Sequence, residues 1–447
     1  MKGGDNMSYS RWATVEEIKD AYTRITKESG VQKSGIEIMY DDDSLYIDDR
    51  EVHSLIIGNT GSGKTQTTIL PQLRLAIMAG ESFIVNDMMG ECYEKYAGIA
   101  KKNGYKVYVI NLTGSLTGNN YNPLTIPYKL YKSGNKDAAV QFTENVGKYI
   151  VTSTETNANV DPFWDNSAVS LFTGLALYLY ENASIEETNI SSVYNLVNSI
   201  DKIDINNVDK NSLIYTYLSP VLLAPTETKG SILSVFKQNI RLIISKETLT
   251  KVLSTTNIDL ENIQRDKTAL FIISDLRAGT RLLPLLIDQM CNYLFLNREN
   301  NKRLNILLDE FDNMGHISEF NNLLNMSRSY NIKFSVIIKS LLNMYNIYGE
   351  KETEIIRMSF GNLIYLMAND IETLRYVSRL CGRLDESSML ITEEELKVLK
   401  TFEAIILANR MYPIRTKLIA DFNLPKEEEK APAIGSLEHT DIKLYNL

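Results

Sequence analysis

Short apolar runs bounded by turn-forming residues recur along the chain. Most are apolar on both faces, and stretches with helical periodicity separate them. Such runs are typical of the strands of a buried, mostly parallel sheet with helices on both faces. We therefore predict an α/β fold. The runs are 45–47, 54–58, 82–87, 105–112, 268–276, 305–311, 334–340, 362–370 and 403–410.

One long stretch, residues 125–262, contains no convincing strand and only helical patterns, such as 166–180 and 228–244. We predict that it is an all-helical domain inserted into the sheet domain. The insertion divides the sheet domain into a first part with the N-terminal segment (1–124) and a second part (263–424), followed by a tail (425–447). The tail contains the charged sequence KEEEK and is predicted to be a loose extension.

Two helix starts can be predicted from capping boxes, in which a threonine is followed three residues later by a glutamate. These pairs are Thr14 with Glu17 and Thr392 with Glu395. Each predicts that an amphipathic helix begins directly after the threonine.

Composition narrows the class of protein. Apolar residues make up 44% and charged residues 23%, which are values of a folded globular protein. The formal net charge of −9 argues against a protein surface that binds nucleic acid over its whole area, so any such contact must be local.

The cysteines Cys92, Cys291 and Cys381 lie far apart and are expected to be reduced core residues. The longest apolar run, 168–180, is shorter than the about 20 residues that span a bilayer, which predicts a soluble, cytoplasmic protein.

The strongest motif follows the run 54–58 and precedes a helical pattern. It reads GNTGSGKT, the G-x-x-x-x-G-K-[ST] phosphate loop. Its glycines let backbone amides face phosphate oxygens, Lys64 reaches the terminal phosphates, and Thr65 offers a hydroxyl to Mg²⁺. We predict a site for ATP and Mg²⁺. The binding residues are Gly58, Asn59, Thr60, Gly61, Ser62, Gly63, Lys64 and Thr65.

An acidic pair, Asp309 and Glu310, follows the apolar run 305–308. Carboxylates at the end of a buried strand are costly unless a cation or another partner needs them. Asp309 is therefore predicted to hold Mg²⁺, and Glu310 to be the base that orients the attacking water. The adjacent glutamate favours the additional-strand branch of P-loop proteins, which includes the RecA-like ATPases.

The chain resembles the TraG/TraD-type coupling proteins of type IV secretion over nearly its full length. The segments that carry the resemblance are SRWAT (10–14), NDMMGECYEKYAG (86–98), YNPL (121–124), DPFWDNSA (161–168), LLDEFDNMGHISEFNNLLNMSRSYNI (307–332) and SLLNMYNIYG (340–349). Several of these segments are specific in combination.

The resemblance implies a RecA-like P-loop ATPase core, a helical domain and a hexameric ring. In such a ring, ATP hydrolysis passes a relaxase–DNA complex or a secreted effector protein to the channel of a type IV secretion system. Single-stranded DNA and channel components are then expected partners, and the channel would hold the protein at the cytoplasmic face of the inner membrane. By position, Arg328 matches the arginine that these proteins place against a neighbour's nucleotide, a role suited to guanidinium.

The chain departs from the family pattern at two site positions. Met89 stands where relatives carry a lysine, and Lys339 stands where they usually carry a glutamine after the sensor strand. Lys339 is predicted to lie beside the nucleotide. These departures keep a second hypothesis open, a nucleotide-binding but non-hydrolysing receptor or scaffold. A related DNA-pumping ATPase is a third reading, which the helical insertion disfavours.

Overall fold

A computed structural model describes residues 9–26, 28–152, 161–296, 302–421 and 429–447. Its strands are β1 Thr23–Ile25, β2 Ile36–Asp41, β3 Ser44–Asp48, β4 His53–Gly58, β5 Ser82–Asn86, β6 Lys106–Asn111, β7 Thr268–Ile273, β8 Leu304–Leu308, β9 Ile332–Ile338, β10 Phe360–Met367, β11 Glu403–Ala408 and β12 Ile414–Lys417.

From β4 to β11 helices alternate with the strands, except in one long helical stretch. They are α1 Val15–Ala21, α2 Leu70–Ala79, α3 Glu91–Lys102, α4 Thr125–Lys132, α5 Lys136–Val151, α6 Pro162–Asn182, α7 Ile190–Asn198, α8 Leu213–Leu222, α9 Thr226–Ile244, α10 Glu247–Val252, α11 Leu276–Leu294, α12 Phe320–Ser329, α13 Leu341–Met358, α14 Ile371–Cys381 and α15 Glu393–Lys397. Both predicted capping boxes are present, at the starts of α1 and α15.

The central sheet has nine strands in the order β12-β11-β10-β4-β9-β8-β5-β7-β6. Strands β10, β4, β9, β8 and β5 pair in parallel, whereas β11 and β12 add an antiparallel edge. Strand β9 lies between β4 and β8, which is the additional strand that the acidic pair predicted. The fold is therefore the predicted RecA-like α/β arrangement with a mostly parallel sheet.

A separate antiparallel sheet, in the order β1-β3-β2, precedes the central sheet. The run 45–47 forms β3 and belongs to this small sheet, so its assignment to the buried parallel sheet was wrong. Buried polar contacts hold β3 against the starts of β9 and β10. Lys333 Nζ donates to Asp48 O at 3.1 Å, and Asn362 Nδ2 donates to the Asp48 carboxylate at 2.7 Å. Burial lowers the pKa of Lys333 to about 8. Nearby carboxylates oppose this shift, and their negative charge makes the burial of the ammonium tolerable.

The chain divides into two compact units. The first, 1–107 with 261–271 and 297–432, carries the phosphate loop and the acidic pair. The second, 108–260 with 272–296 and 433–447, contains helices α4 to α11 and is called the helical unit below. Within the described part of 125–262 all regular structure is helical. The domain boundaries derived from the sequence stay predictions.

In the helical unit, the structure corrects the prediction that the C-terminal tail is a loose extension. Residues 425–428 lie outside the described part of the chain, but 433–447 are held by hydrogen bonds from the side chains of Asn120, Asn189 and Asn195. Leu437 is buried. The prediction of a loose extension was wrong for this segment because charge composition says nothing about bonds made by the backbone.

The three cysteines are buried and free, as predicted. Among the residues described, no helix combines the length and the apolar character needed to cross a bilayer.

Candidate functional site

The phosphate loop leaves β4 and leads into a short π-helix, Thr65–Ile69, which continues as α2. The backbone N–H of Asn59 donates to Met367 O at 2.9 Å, which ties the start of the loop to the end of β10. Thr68 Oγ1 donates to Lys64 O at 2.5 Å and anchors the end of the loop. The loop is thus fixed at both ends, with its middle free to face a ligand.

Gly63 is a loop glycine at which both the backbone conformation and the surrounding space disfavour a side chain. Its φ is +84°, in the left-handed region, and a Cβ there would come 2.7 Å from the ring of Phe402. Both facts exclude a side chain at this position without rearrangement. The loop therefore keeps its shape through glycine, as the sequence predicted.

Lys64 is the charged residue of the loop, and it is only 8% exposed. Its positive charge acts on the carboxyl group of Asp309, which lies at the end of β8. Ser62 Oγ, also in the loop, is buried and has no hydrogen-bond partner among the described residues. A buried hydroxyl and a buried ammonium both seek acceptors, and phosphate oxygens supply them.

Asp309 is a buried carboxyl group at the end of β8. Burial is the largest influence on its carboxyl group and raises its pKa to about 6, while the nearby Lys64 and the N–H of Glu310 oppose the rise. Asp309 Oδ1 accepts the N–H of Glu310 at 2.8 Å. A carboxylate that is costly to charge where it lies binds a divalent cation favourably, because the ion supplies the missing positive charge.

Glu310 has a left-handed backbone conformation, with φ of 49°. Its Oε2 accepts a hydrogen bond from Asn313 Nδ2 at 2.7 Å and lies 3.4 Å from Lys339 Nζ. Left-handed backbone at a residue other than glycine stores strain and is common where a side chain must be aimed. Lys339, directly after β9, thus reaches Glu310 of the acidic pair. Its predicted place beside the nucleotide stays a prediction.

A cavity of about 340 Å³ joins the loop and the acidic pair. Most of the predicted site residues line it or form the loop beneath it. Seven lining residues lie outside the predicted set of catalytic, nucleotide-binding and metal-binding residues: Gln66, Asn86, Asp87, Met88, Met89, Glu91 and Cys92. Asp87 follows β5 and accepts the N–H of Tyr93 at 2.8 Å. All lining residues are Thr60, Gly61, Gly63, Lys64, Thr65, Gln66, Asn86, Asp87, Met88, Met89, Glu91, Cys92, Asp309 and Glu310.

Arg328 does not line this cavity. It is exposed in the last turn of α12, and its charge acts on His53, the first residue of β4. The phosphate loop begins at the other end of that strand, at Gly58. The structure thus does not bring Arg328 to the nucleotide site of its own chain.

The fold and the site together define a P-loop nucleotide-binding protein of the additional-strand type, with a RecA-like core. Residues 11–385 match the family described as Type IV secretory system Conjugative DNA transfer, and the chain belongs to that family. This agrees with the resemblance seen in the sequence.

Individual relatives agree with this membership. The chain is 22% identical over 350 residues to the conjugal transfer protein TraG of Rhizobium radiobacter, covering 74% of this chain and 52% of TraG. It is 23% identical over 345 residues to the TraG of Agrobacterium fabrum, covering 74% of this chain and 51% of that protein. The chain thus spans about half the length of these curated relatives.

Solved structures with the same fold include the plasmid coupling protein TrwB in complex with ADP and Mg²⁺. Its TM-score is 0.72 at 15% identity, with 96% of this chain and 97% of TrwB covered. VirB4 of Thermoanaerobacter pseudethanolicus has a TM-score of 0.54 at 14% identity, with 87% and 96% covered. At these identities the likeness establishes the fold.

Proposed function

We propose that the chain is an ATP-hydrolysing coupling protein that drives a relaxase–DNA complex or an effector protein into a type IV secretion channel. The observation that carries the proposal is the common cavity of Lys64, Thr65, Asp309 and Glu310, which unites a phosphate loop with an acidic pair. Membership of the conjugative DNA transfer family supports the role in transfer.

ATP and Mg²⁺ are the proposed cofactors, and a solved complex of TrwB contains ADP and Mg²⁺. In this chain the amides of the loop and Lys64 would bind the phosphates, while Thr65 and Asp309 would hold the metal. A metal held there would supply positive charge that neutralises charge developing on the phosphate oxygens. The buried, unpartnered Ser62 Oγ and the raised pKa of Asp309 both fit this pair of ligands.

Glu310 is the proposed base. Water attacks the terminal phosphorus, the bond from that phosphorus to the bridging oxygen of ADP breaks, and Glu310 accepts the proton of the water. The left-handed backbone at Glu310 and the hydrogen bond from Asn313 hold this carboxylate at the cavity. Its role depends on how firmly Lys339 holds the same carboxylate.

Arg328 is proposed to act in trans, in a homo-oligomer such as a hexameric ring. Its exposure on α12, away from the cavity of its own chain, supports this arrangement. A guanidinium supplied by a neighbour stabilises the charge of the transition state and leaves ground-state binding nearly unchanged.

A second candidate function is that of a nucleotide-binding receptor or scaffold that does not hydrolyse. Two observations favour it. Lys339 pairs with the proposed base, and Met89 is 89% exposed at the cavity, where the family pattern has a lysine.

For both candidate functions we propose that the channel and its components hold the protein at the cytoplasmic face of the inner membrane.

Steady-state ATPase assays with and without single-stranded DNA test the proposal. The wild type should release phosphate faster with DNA, and Glu310→Gln should bind labelled ATP on filters without hydrolysing it. A wild type that binds ATP with no turnover above that of Glu310→Gln would favour the receptor instead. A protein that binds no ATP would contradict both.

A further inference from the structure

Residues 433–447, called here the tail segment, cross the surface of the helical unit. The residues of that surface that bond to it are called the tail groove. Three asparagine amides of the groove donate to backbone carbonyls of the tail segment. The bonds are Asn120 Nδ2 to His439 O at 3.0 Å, Asn189 Nδ2 to Lys443 O at 2.9 Å and Asn195 Nδ2 to Tyr445 O at 2.8 Å.

Bonds in the opposite direction complete this pattern. The backbone N–H of Tyr445 donates to Ser192 Oγ at 3.0 Å, and the N–H of Leu437 donates to Leu116 O at 3.1 Å. Side chains that bond to the carbonyls and amides of a backbone recognise a polypeptide as such, with little demand on its sequence. The sugar-phosphate backbone of a nucleic acid offers no such alternation of amide donors and carbonyl acceptors.

The tail segment is held shallowly. Leu437 is its only buried side chain, at 5% exposure, whereas Leu444 is 43% and Leu447 is 40% exposed. The ring of Tyr445 lies against that of Tyr178, with centroids 6.2 Å apart. A segment with so little buried apolar surface opens at a low cost in free energy, which allows another segment to take its place.

The fit of the tail segment is also incomplete. A cavity of about 490 Å³ lies between tail residues 438–441 and 443 and the rest of the helical unit, where Thr125, Thr256 and Glu186 line it. Asn120 is fully buried, yet its Oδ1 has no partner among the described residues. Thr255 Oγ1, which lines the cavity, is likewise unpartnered in the described part of the chain. The unpaired hydroxyl of Thr255 costs free energy that a ligand with a matching polar group in the cavity would recover.

We propose that the tail groove is a binding site for a segment of a partner protein and that the tail segment is its exchangeable occupant. The partner segment would carry an aliphatic side chain at the position of Leu437 and an aromatic one at the position of Tyr445. Between them, where Thr440 leaves the cavity open, a long side chain with several donors, such as arginine, would meet Glu186 and the threonine hydroxyls. This site lies outside the nucleotide cavity and goes beyond the proposed function.

The test uses the full chain and a fluorescent synthetic peptide of residues 433–447. Leu437→Ser should loosen the chain's own tail segment and free the groove, so that the peptide binds about tenfold tighter or more than to the wild type, as expected for one lost buried leucine. Leu444→Ser is the matched control, since that leucine is already exposed. It should bind the peptide no better than the wild type does. Fluorescence anisotropy measures all three affinities.

Two further variants locate the bound peptide. Adding Asn195→Ala to the Leu437→Ser chain should weaken binding of the peptide, because Asn195 donates to the backbone at Tyr445. A peptide that carries Thr440→Arg should bind tighter than the natural one. Tyr445→Ala replaces Leu437→Ser if the latter does not fold.

Equal affinities for the wild type and the loosened chains, with unchanged circular dichroism and ATP binding, would overturn the proposal. No gain from Thr440→Arg would exclude the cavity as the place of an arginine side chain. ATP hydrolysis is not measured in these experiments, so their failure would leave the proposed motor function untouched.

Discussion

Lys339 Nζ lies 3.4 Å from Glu310 Oε2, so an ammonium at the end of β9 faces the carboxylate proposed to activate water. Asn313 Nδ2 bonds to the same oxygen. The side chains of Lys339 and Glu310 are 24% and 26% exposed, which limits the strength of their attraction. The pair therefore acts as a weak restraint on Glu310.

Lys339→Gln is expected to raise the kcat for ATP. Glutamine keeps a donor for Glu310 but removes the charge, so the carboxylate becomes a freer proton acceptor. An ion pair with this exposure is worth at most about 1 kcal/mol, so the increase should not exceed about fivefold. The affinity for ATP should fall, because a positive charge near the phosphates is lost. Measured kcat and nucleotide affinity equal to wild type would remove Lys339 from the reaction.

Arg328→Ala is expected to leave ATP affinity near that of the wild type and to remove most of the turnover. The reason is that a guanidinium supplied by a neighbour acts on the transition state. Arg379→Ala, which changes another exposed helix arginine, is the control and should have normal activity. The specific activity of the wild type should also rise with protein concentration. Constant specific activity, unaltered by Arg328→Ala, would contradict action in trans.

Asp309→Asn is expected to stabilise the nucleotide-free protein above pH 6. Burial raises the pKa of Asp309 from 3.8 to about 6, so the folded protein holds this proton more tightly than the unfolded chain does. The free energy of unfolding therefore falls as pH rises from about 4 to 6 and then levels off, a change of roughly 3 kcal/mol. Replacement by asparagine removes this pH-dependent change in the free energy of unfolding. Urea unfolding of both proteins between pH 4 and 8 would measure the difference. Identical pH dependence would mean that Asp309 is not strained when charged.

Gly63→Ala is expected to abolish ATP binding. A methyl group would collide with the ring of Phe402 and would force a residue with a side chain to keep a φ of +84°. Gly134→Ala is a control with a similar φ of +90° but open space around it, so it should cost stability while leaving nucleotide binding intact. Isothermal titration with ATP distinguishes the two. Normal affinity for ATP in Gly63→Ala would show that the loop can change shape.

Much of the sheet could be predicted because its central strands are buried on both faces and so read as apolar runs. Strand β2 was missed, since Glu37 interrupts its pattern. That carboxyl group is buried, 2% exposed, and accepts the N–H of Ile419 at 2.7 Å. Only tertiary contacts 382 residues apart make this glutamate suitable for a strand interior. Strands β1 and β12, with the sequences TRI and IRTK, each contain one apolar residue, so neither forms an apolar run.

The site was predicted to the extent that it lies in contiguous motifs. The phosphate loop and the acidic pair each follow an apolar run, and the structure brings them into one cavity. Asp87 and Glu91 were not predicted as site residues, because they reach the cavity through the pairing of β5 with β8, in which Asn86 is opposite Leu308. Strand order is a property of the whole sheet, so no local pattern reports it. The segment NDMMGE (86–91), which contributes to the family resemblance, was the sequence signal that could have identified these two residues.

The position of β9 sets the distance between the phosphate loop and Asp309. Because β9 pairs with β4 on one side and β8 on the other, two interstrand spacings, roughly 9 to 10 Å, separate the strand that leads into the phosphate loop from the strand that ends in Asp309. Backbone hydrogen bonds fix this separation, and rotation of side chains does not alter it. The phosphates of a nucleotide and a hydrated cation must therefore fit a distance that the sheet fixes before they bind. The backbone of the sheet thus selects ligands by their length.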